Sequence, residues 1–86
     1  MSGPLDEIRE QITANDKAII GAINKRLRLV TELWELKQRV GAEQIDPQRE
    51  LDLRAELAAA NTGPLSAAGL ERLVTEVLAL TKNELA

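Results

Sequence analysis

Three basic residues occupy positions where the surrounding pattern predicts apolar side chains. Arg9 lies between Leu5 and Ile12, and Arg26 and Lys37 interrupt the same apolar series further along. Arg26 and Lys37 are eleven positions apart, so on a helix they would lie within about 20° of azimuth and roughly 16 Å apart along the axis. Arg9 would be rotated by about 100° from both, and one straight helix cannot direct all three at one ligand. A second copy of the helix could supply Arg9.

A pair of carboxylates follows these cations in the chain. Asp46 and Glu50 are four residues apart and would share a helix face. Cations suit the carboxylates of a small dianion, and a carboxylate suits a hydroxyl group, so the set predicts a charged pocket. The simpler interpretation is that each cation extends to solvent from the edge of an apolar stripe. Asp46 would then be only a helix cap, and Arg49 and Glu50 a solvated first turn.

The composition limits the chemistry that this pocket could perform. The 86 residues include no His and no Cys, which excludes a His- or thiolate-ligated metal, a Ser–His triad and a catalytic thiol. An enzyme with this composition would have to work by positioning and electrostatics. A net charge of −3 and a single aromatic residue, a Trp, argue against a nucleic-acid partner. No apolar run reaches the roughly 18 residues of a membrane span. We also find no export signal and expect a cytoplasmic location.

The charged residues are distributed over segments with helical periodicity. The first segment runs from about Pro4 to about Arg39, with apolar residues spaced by three, four and seven positions. The second begins at Asp46 as N-cap and ends at 61–64, and the third begins at Ser66. These segments predict an all-α chain of three helices in the order long, short, medium. We expect one domain over residues 1–86, with no strand.

The length of the first helix predicts the oligomeric state. A helix of about 35 residues is roughly 50 Å long, which exceeds the diameter of a globule of this size. Part of its apolar stripe cannot be covered by its own chain, and an isolated amphipathic helix is only marginally stable in water. We therefore expect a homodimer in which the two long helices cross.

Several short motifs, in this order and spacing, resemble the AroQ-type (all-helical) chorismate mutases over roughly residues 5–85. The motifs are Ile8-Arg9-Glu10 with Asp16, Asn24-Lys25-Arg26, Glu35-Leu36-Lys37, Asp46-Pro47-Gln48-Arg49-Glu50 and Asn61-Thr62-Gly63-Pro64. The resemblance implies an intertwined homodimer with two active sites shared between subunits. It also implies the rearrangement of chorismate to prephenate in aromatic amino-acid biosynthesis, a one-step pericyclic reaction that needs no metal, cofactor or covalent intermediate.

The resemblance also implies roles for individual residues. Arg26 would bind one substrate carboxylate, and Arg9 of the other subunit would bind the second. Lys37 would donate a hydrogen bond to the ether oxygen, where negative charge develops as the C–O bond breaks, and would thus stabilise the transition state more than the substrate. Glu50, together with Asp46, would hold the ring hydroxyl.

The remaining expected site residues include one departure from the family, on the third helix. Arg49 matches an arginine that lines the same pocket, and Thr81 matches a small hydroxyl residue near a carboxylate. The family usually has Gln or Glu four residues later, where this chain has Leu85, which cannot donate. Glu84 could replace it if the final turn had a different register. The expected inner face of the helix comprises Leu70, Leu73, Val74, Val77 and Leu78.

Two alternatives to a chorismate mutase remain open. One is a related enzyme on the same fold, an isochorismate-pyruvate lyase or a 4-amino-4-deoxychorismate mutase. The other is a weakly active helical dimer that acts as partner or regulator of another shikimate-pathway enzyme. Leu85 favours the second alternative, whereas the retained charged set of Arg9, Arg26, Lys37 and Glu50 argues against it.

Overall fold

The computed structural model describes residues 3–42 and 46–86. Within these ranges the chain forms three α-helices, α1 (Pro4–Val40), α2 (Pro47–Ala60) and α3 (Ala67–Leu85), and no strand. The predicted all-α class and the order long, short, medium are confirmed. No helix in the described part of the chain combines the length and apolarity that a membrane crossing requires.

A glycine ends α1 directly after its last basic turn. Gly41 has a φ of +73°, a conformation that carries no Cβ penalty in glycine. The Gly41 amide donates to the Gln38 carbonyl at 3.3 Å, and the Ala42 amide donates to the Lys37 carbonyl at 2.9 Å. Two such bonds constitute a Schellman motif. They fix the end of α1 around Lys37.

The start of α2 agrees with the sequence prediction. Asp46 is the N-cap, and its Oδ1 accepts a hydrogen bond from the Arg49 amide at 3.1 Å. Pro47 occupies the first helical position, where its missing N–H has no helical partner to lose. At the other end the Asn61 amide donates to the Leu57 carbonyl at 3.1 Å. The cap predicted at Asp46 is therefore confirmed.

The connection between α2 and α3 is tied by side chains at both ends. The Asn61 side chain donates to the Leu65 carbonyl at 2.8 Å and accepts from the Gly63 amide at 3.1 Å. Ser66 is the N-cap of α3, and its Oγ accepts from the Gly69 amide at 3.0 Å. The predicted cap at Ser66 is confirmed, and these bonds set where α3 begins.

The chain divides into two compact units, Met1–Leu33 and Trp34–Ala86. The first unit consists of the greater part of α1. None of its described residues is buried. Its early apolar residues are more than half exposed, and a half-buried group follows at the spacing of one helix face. The exposed residues are Leu5, Ile8, Ile12 and Ile19, and the half-buried ones are Ile23, Arg26, Leu27 and Val30.

The second unit contains the end of α1 together with α2 and α3, and α2 packs against α3. Its buried residues among those described are Val74 and Thr81, seven positions apart on one face of α3. The same face carries the half-buried residues Leu70, Val77, Leu78 and Leu85. The predicted inner face is confirmed except at Leu73, which is 52% exposed. Leu73 is rotated by about 100° from Val74 and thus lies at the edge of the face.

An arginine joins the two packed helices. Arg54 on α2 donates from Nη1 to Oε2 of Glu71 at 2.9 Å and from Nη2 to Oγ1 of Thr75 at 3.1 Å. Its side chain is only 26% exposed. The two acceptors are four residues apart on α3, a spacing that the rigid fork of a guanidinium can reach simultaneously. We refer to Arg54, Glu71 and Thr75 as the Arg54 clamp.

Candidate active site

Lys37 lies near the end of α1, within the second unit. It is half-buried, as is Trp34 three residues earlier, so the two side chains share a partly covered helix face. The Lys37 carbonyl is held by the Ala42 amide. The backbone of this cation is therefore held by the glycine-terminated end of α1, and the residue is partly removed from water.

Arg26 has a similar position within the first unit. It is half-buried, and so are Ile23, Leu27 and Val30, which lie one to four residues away. An arginine in such a row can cover apolar surface with its stem while its guanidinium extends toward water. The sequence-based expectation that Arg26 belongs to the apolar stripe agrees with this exposure.

Arg9 has a different environment. Its side chain is 68% exposed, and Nη1 lies 3.9 Å from Oδ1 of Asp6, one turn earlier. An exposed ion pair of this length contributes little to stability. The neighbouring apolar side chains, Ile8 and Ile12, are more than half exposed as well. Arg9 is thus presented on an uncovered surface of its own unit.

Glu50 connects the first turn of α2 with the last part of α3. Its amide donates to the Asp46 carbonyl at 3.2 Å. Its side chain is 34% exposed, and Oε1 lies 3.2 Å from Nζ of Lys82. The interpretation of Glu50 as a merely solvated first-turn residue is therefore wrong. We refer to this contact as the Glu50–Lys82 pair.

Thr81 precedes Lys82 and lies on the inner face of α3. It is 6% exposed, and its Oγ1 donates to the Val77 carbonyl at 2.8 Å. A hydroxyl that donates to the backbone retains acceptor capacity. The packing of α2 against α3 thus brings Glu50, Lys82 and the turn containing Thr81 to one side of the second unit.

The two other candidates at the start of α2 are exposed to solvent. Asp46 caps the helix, and its predicted second role toward a ring hydroxyl stays a prediction. Arg49 has an exposed side chain, and its Nη1 lies 3.8 Å from Oε1 of Glu56, which is also exposed. Nothing in this contact holds the guanidinium in one direction. The predicted role of Arg49 in the pocket also stays a prediction.

The last turn of α3 shows which of two neighbouring residues, Glu84 or Leu85, lies on the face that carries Thr81. The helix continues to Leu85 as a regular α-helix, with Leu85 half-buried and Glu84 exposed. Leu85 follows Thr81 by four residues and therefore shares its face. The role considered for Glu84 required a different final turn. The observed register gives it no support and turns Glu84 outward.

Lys82 and Arg54 are the interacting residues that sequence reasoning missed. Arg54 reaches partners 17 and 21 positions away, and Lys82 reaches back to the start of α2. Spacing within a helix reveals partners three or four residues apart, whereas these contacts arise only when two helices pack. These contacts could be predicted only if the way in which α2 packs against α3 were already known.

Comparisons with known proteins agree with the three-helix fold. The family model of chorismate mutase type II matches residues 8–84. Forms I and II of chorismate mutase from Thermus thermophilus superpose with TM-scores of 0.86 and 0.87, each at 26% sequence identity. The alignments cover 92% of this chain and 99% of form I, and 94% of this chain and 92% of form II.

A curated relative matches over a shorter stretch. The T-protein of Enterobacter agglomerans is 40% identical over 55 residues, which are 64% of this chain and 15% of that protein. The chain thus spans a small part of the length of this relative. The family model, in contrast, extends over nearly the whole chain and includes the described helices from Ile8 to Glu84. We conclude that the chain belongs to the chorismate mutase type II family, as the motifs in its sequence predicted.

Proposed function

We propose that this chain is an isomerase that converts chorismate to prephenate in aromatic amino-acid biosynthesis. The observation that carries the proposal is the partial burial of Arg26 and Lys37 on α1, in a chain that the family model matches over residues 8–84. Arg26 and Lys37 place two positive charges eleven positions apart on this helix. A substrate with two carboxylates and an ether oxygen offers hydrogen-bond acceptors that suit such cations.

The rearrangement breaks a C–O bond and forms a C–C bond in one step, so it needs neither a base nor a nucleophile. The chain, with no His and no Cys, is suited to this chemistry. In the proposed mechanism Arg26 binds a carboxylate and Lys37 donates to the ether oxygen as negative charge develops there. A donor held in advance in a partly desolvated site stabilises that charge more than water does. Glu50 accepts a hydrogen bond from the ring hydroxyl.

The second carboxylate requires Arg9 from another copy of the chain. Support comes from α1, which is 37 residues long and exposes Leu5, Ile8 and Ile12 beside Arg9. A contiguous apolar surface of this kind is typical of an interface. We therefore propose that the active species is a homodimer in which each site combines Arg26 of one subunit with Arg9 of the other.

Leu85 is the observation that favours a second candidate function. It lies on the same face of α3 as Thr81 and offers no hydrogen-bond donor. A site without a second donor to the ether oxygen suits a weakly active dimer that acts as partner or regulator of another shikimate-pathway enzyme.

One experiment distinguishes these candidates. The purified chain is incubated separately with chorismate, isochorismate and 4-amino-4-deoxychorismate, while substrate absorbance is followed and products are identified by chromatography and mass spectrometry. We expect prephenate from chorismate as the fastest reaction. Faster conversion of either analogue would select the related enzyme, and turnover of none would contradict every enzymatic assignment. The cytoplasmic location is part of the proposal, and fractionation of producing cells tests it.

A further inference from the structure

The Glu50–Lys82 pair joins a candidate site residue to a residue without an assigned role. Nζ of Lys82 on α3 lies 3.2 Å from Oε1 of Glu50 on α2. The side chains are 51% and 34% exposed, and an ion pair open to water to this degree adds little to stability. The contact therefore matters more for the orientation of the Glu50 carboxylate than for the stability of the fold.

Glu50 needs such a constraint if it is to accept a hydrogen bond in a defined direction. The Asp46 cap and the first turn of α2 hold the backbone of Glu50. Three side-chain torsions separate that backbone from the carboxylate, and each has several wells. The contact with Lys82 favours the side-chain conformations that bring Oε1 of Glu50 to Nζ of Lys82. Because it engages Oε1, acceptor positions on Oε2 remain for a second donor.

We propose that Lys82 is a positioning residue: it holds the Glu50 carboxylate at the contact of α2 with α3, so that Oε2 faces the ring hydroxyl of the substrate. The inference rests on the proposed function. Lys82 acts through Glu50 and does not itself touch the reacting atoms. Its place on α3 directly after the buried Thr81 supports this role, because the inward position of Thr81 fixes the azimuth from which the lysine extends.

The Arg54 clamp provides a matched control. It joins the same two helices through contacts of 2.9 and 3.1 Å, and Arg54 lies one turn after Glu50. A purely structural Lys82 would behave like Arg54, and its loss would lower thermal stability. A positioning Lys82 would behave differently, since its loss would lower kcat/KM while the midpoint of thermal unfolding changed little.

The experiment compares the full chain with Lys82→Met, Lys82→Arg, Glu50→Gln, the double variant Lys82→Met/Glu50→Gln and the control Arg54→Met. We expect Lys82→Met to lower kcat/KM for chorismate about 10-fold, because misplaced catalytic groups reduce rates by one to two orders of magnitude. Lys82→Arg restores most of the loss, since it keeps the charge and the reach. In the Glu50→Gln background Lys82→Met has little further effect, as expected for residues that act as a unit.

Three results would overturn the positioning role in an active wild-type protein: an unchanged kcat/KM for Lys82→Met, an equal loss in the Glu50→Gln background, or a fall in the thermal midpoint as large as that of Arg54→Met. If Lys82→Met does not fold, Lys82→Gln takes its place with the same criteria. A wild-type chain that converts no chorismate would instead overturn the proposed function, and the positioning role with it.

Discussion

The two units of the chain present their functional candidates in opposite ways. In Met1–Leu33, Arg9 and the apolar side chains beside it are exposed, and no described residue is buried. In Trp34–Ala86, α2 and α3 pack together, Val74 and Thr81 are buried, and Glu50 is held from α3. The second unit thus supplies Glu50 with a partner on another helix. The apolar side chains in the early part of the first unit are exposed, and only a second surface packed against them could cover them.

This contrast has a physical cause. A single helix satisfies its backbone hydrogen bonds internally but has no second layer to cover its apolar side chains. The second unit has that layer, because the tied connection between Asn61 and Ser66 lets α3 return against α2. We therefore expect the candidates of the first unit to depend on association, and Glu50 of the second unit to depend on intrachain packing. The following predictions test that division.

The largest effect is expected from a charge on the uncovered face of the first unit. Ile12→Glu places a carboxylate among apolar residues that a second copy would cover, and an unpaired buried charge costs about 3–5 kcal/mol. We expect the dimer to dissociate and activity to disappear. Analytical ultracentrifugation over a concentration series measures the oligomeric state.

Ala14→Glu is the matched control for this substitution. Ala14 is exposed and lies about 160° around the helix from Ile12, so this variant should remain dimeric. If Ile12→Glu and Ala14→Glu had the same mass in solution and the same activity, the exposed apolar face would not be an interface.

The next largest effect is expected at Lys37. Removal of a key electrostatic donor from an active site costs about 3–4 kcal/mol of transition-state stabilisation. Lys37→Ala should therefore lower kcat about 10²–10³-fold with the fold retained, as measured by steady-state kinetics and circular dichroism. Lys17→Ala removes an exposed lysine from the same helix and should be indistinguishable from the wild type. A Lys37→Ala variant with more than a tenth of wild-type kcat would rule out the proposed donor role.

A mixing experiment tests whether two copies of the chain share one site, through Arg9 and Arg26 of the first unit. Arg9→Ala and Arg26→Ala should each be nearly inactive, since each would remove a cation proposed to bind a substrate carboxylate in both sites of the proposed dimer. In a randomly exchanged mixture half of the dimers are mixed, and each of these has one intact site, so about a quarter of wild-type activity should return. Native mass spectrometry verifies subunit exchange. If exchange occurs and activity does not return, Arg9 and Arg26 do not come from different subunits.

The smallest effect concerns the second unit alone. Arg54→Met removes the partly exposed contacts to Glu71 and Thr75 and should lower the free energy of unfolding by about 1 kcal/mol. For a chain of this size that is a shift of about 4–8 °C in the thermal midpoint. Arg72→Met changes an exposed arginine on α3 and serves as control. Equal midpoints for the two variants would mean that the Arg54 clamp does not stabilise the second unit.

Local signals explain why the helices were predictable. Asp46, Ser66 and Gly41 each act within a few residues of their own position, so caps and ends follow from the chain alone. The spacing of apolar residues also identified the inner face of α3, with Leu73 as the exception at its edge. Periodicity ranks the residues of a face but does not define its width, which depends on how much surface the neighbouring helix covers.

The amino-acid sequence by itself determined the helical class, the helix boundaries, the exclusion of thiol and histidine chemistry and the motifs of the family. These properties depend on residue types and short spacings. Only the tertiary structure decided that Glu50 pairs with Lys82, that Arg54 joins α2 to α3, and that Leu85 rather than Glu84 lies beside the buried face. Contacts between residues far apart in the chain depend on how two helices are set against each other, and that alignment is a property of packing rather than of any local pattern.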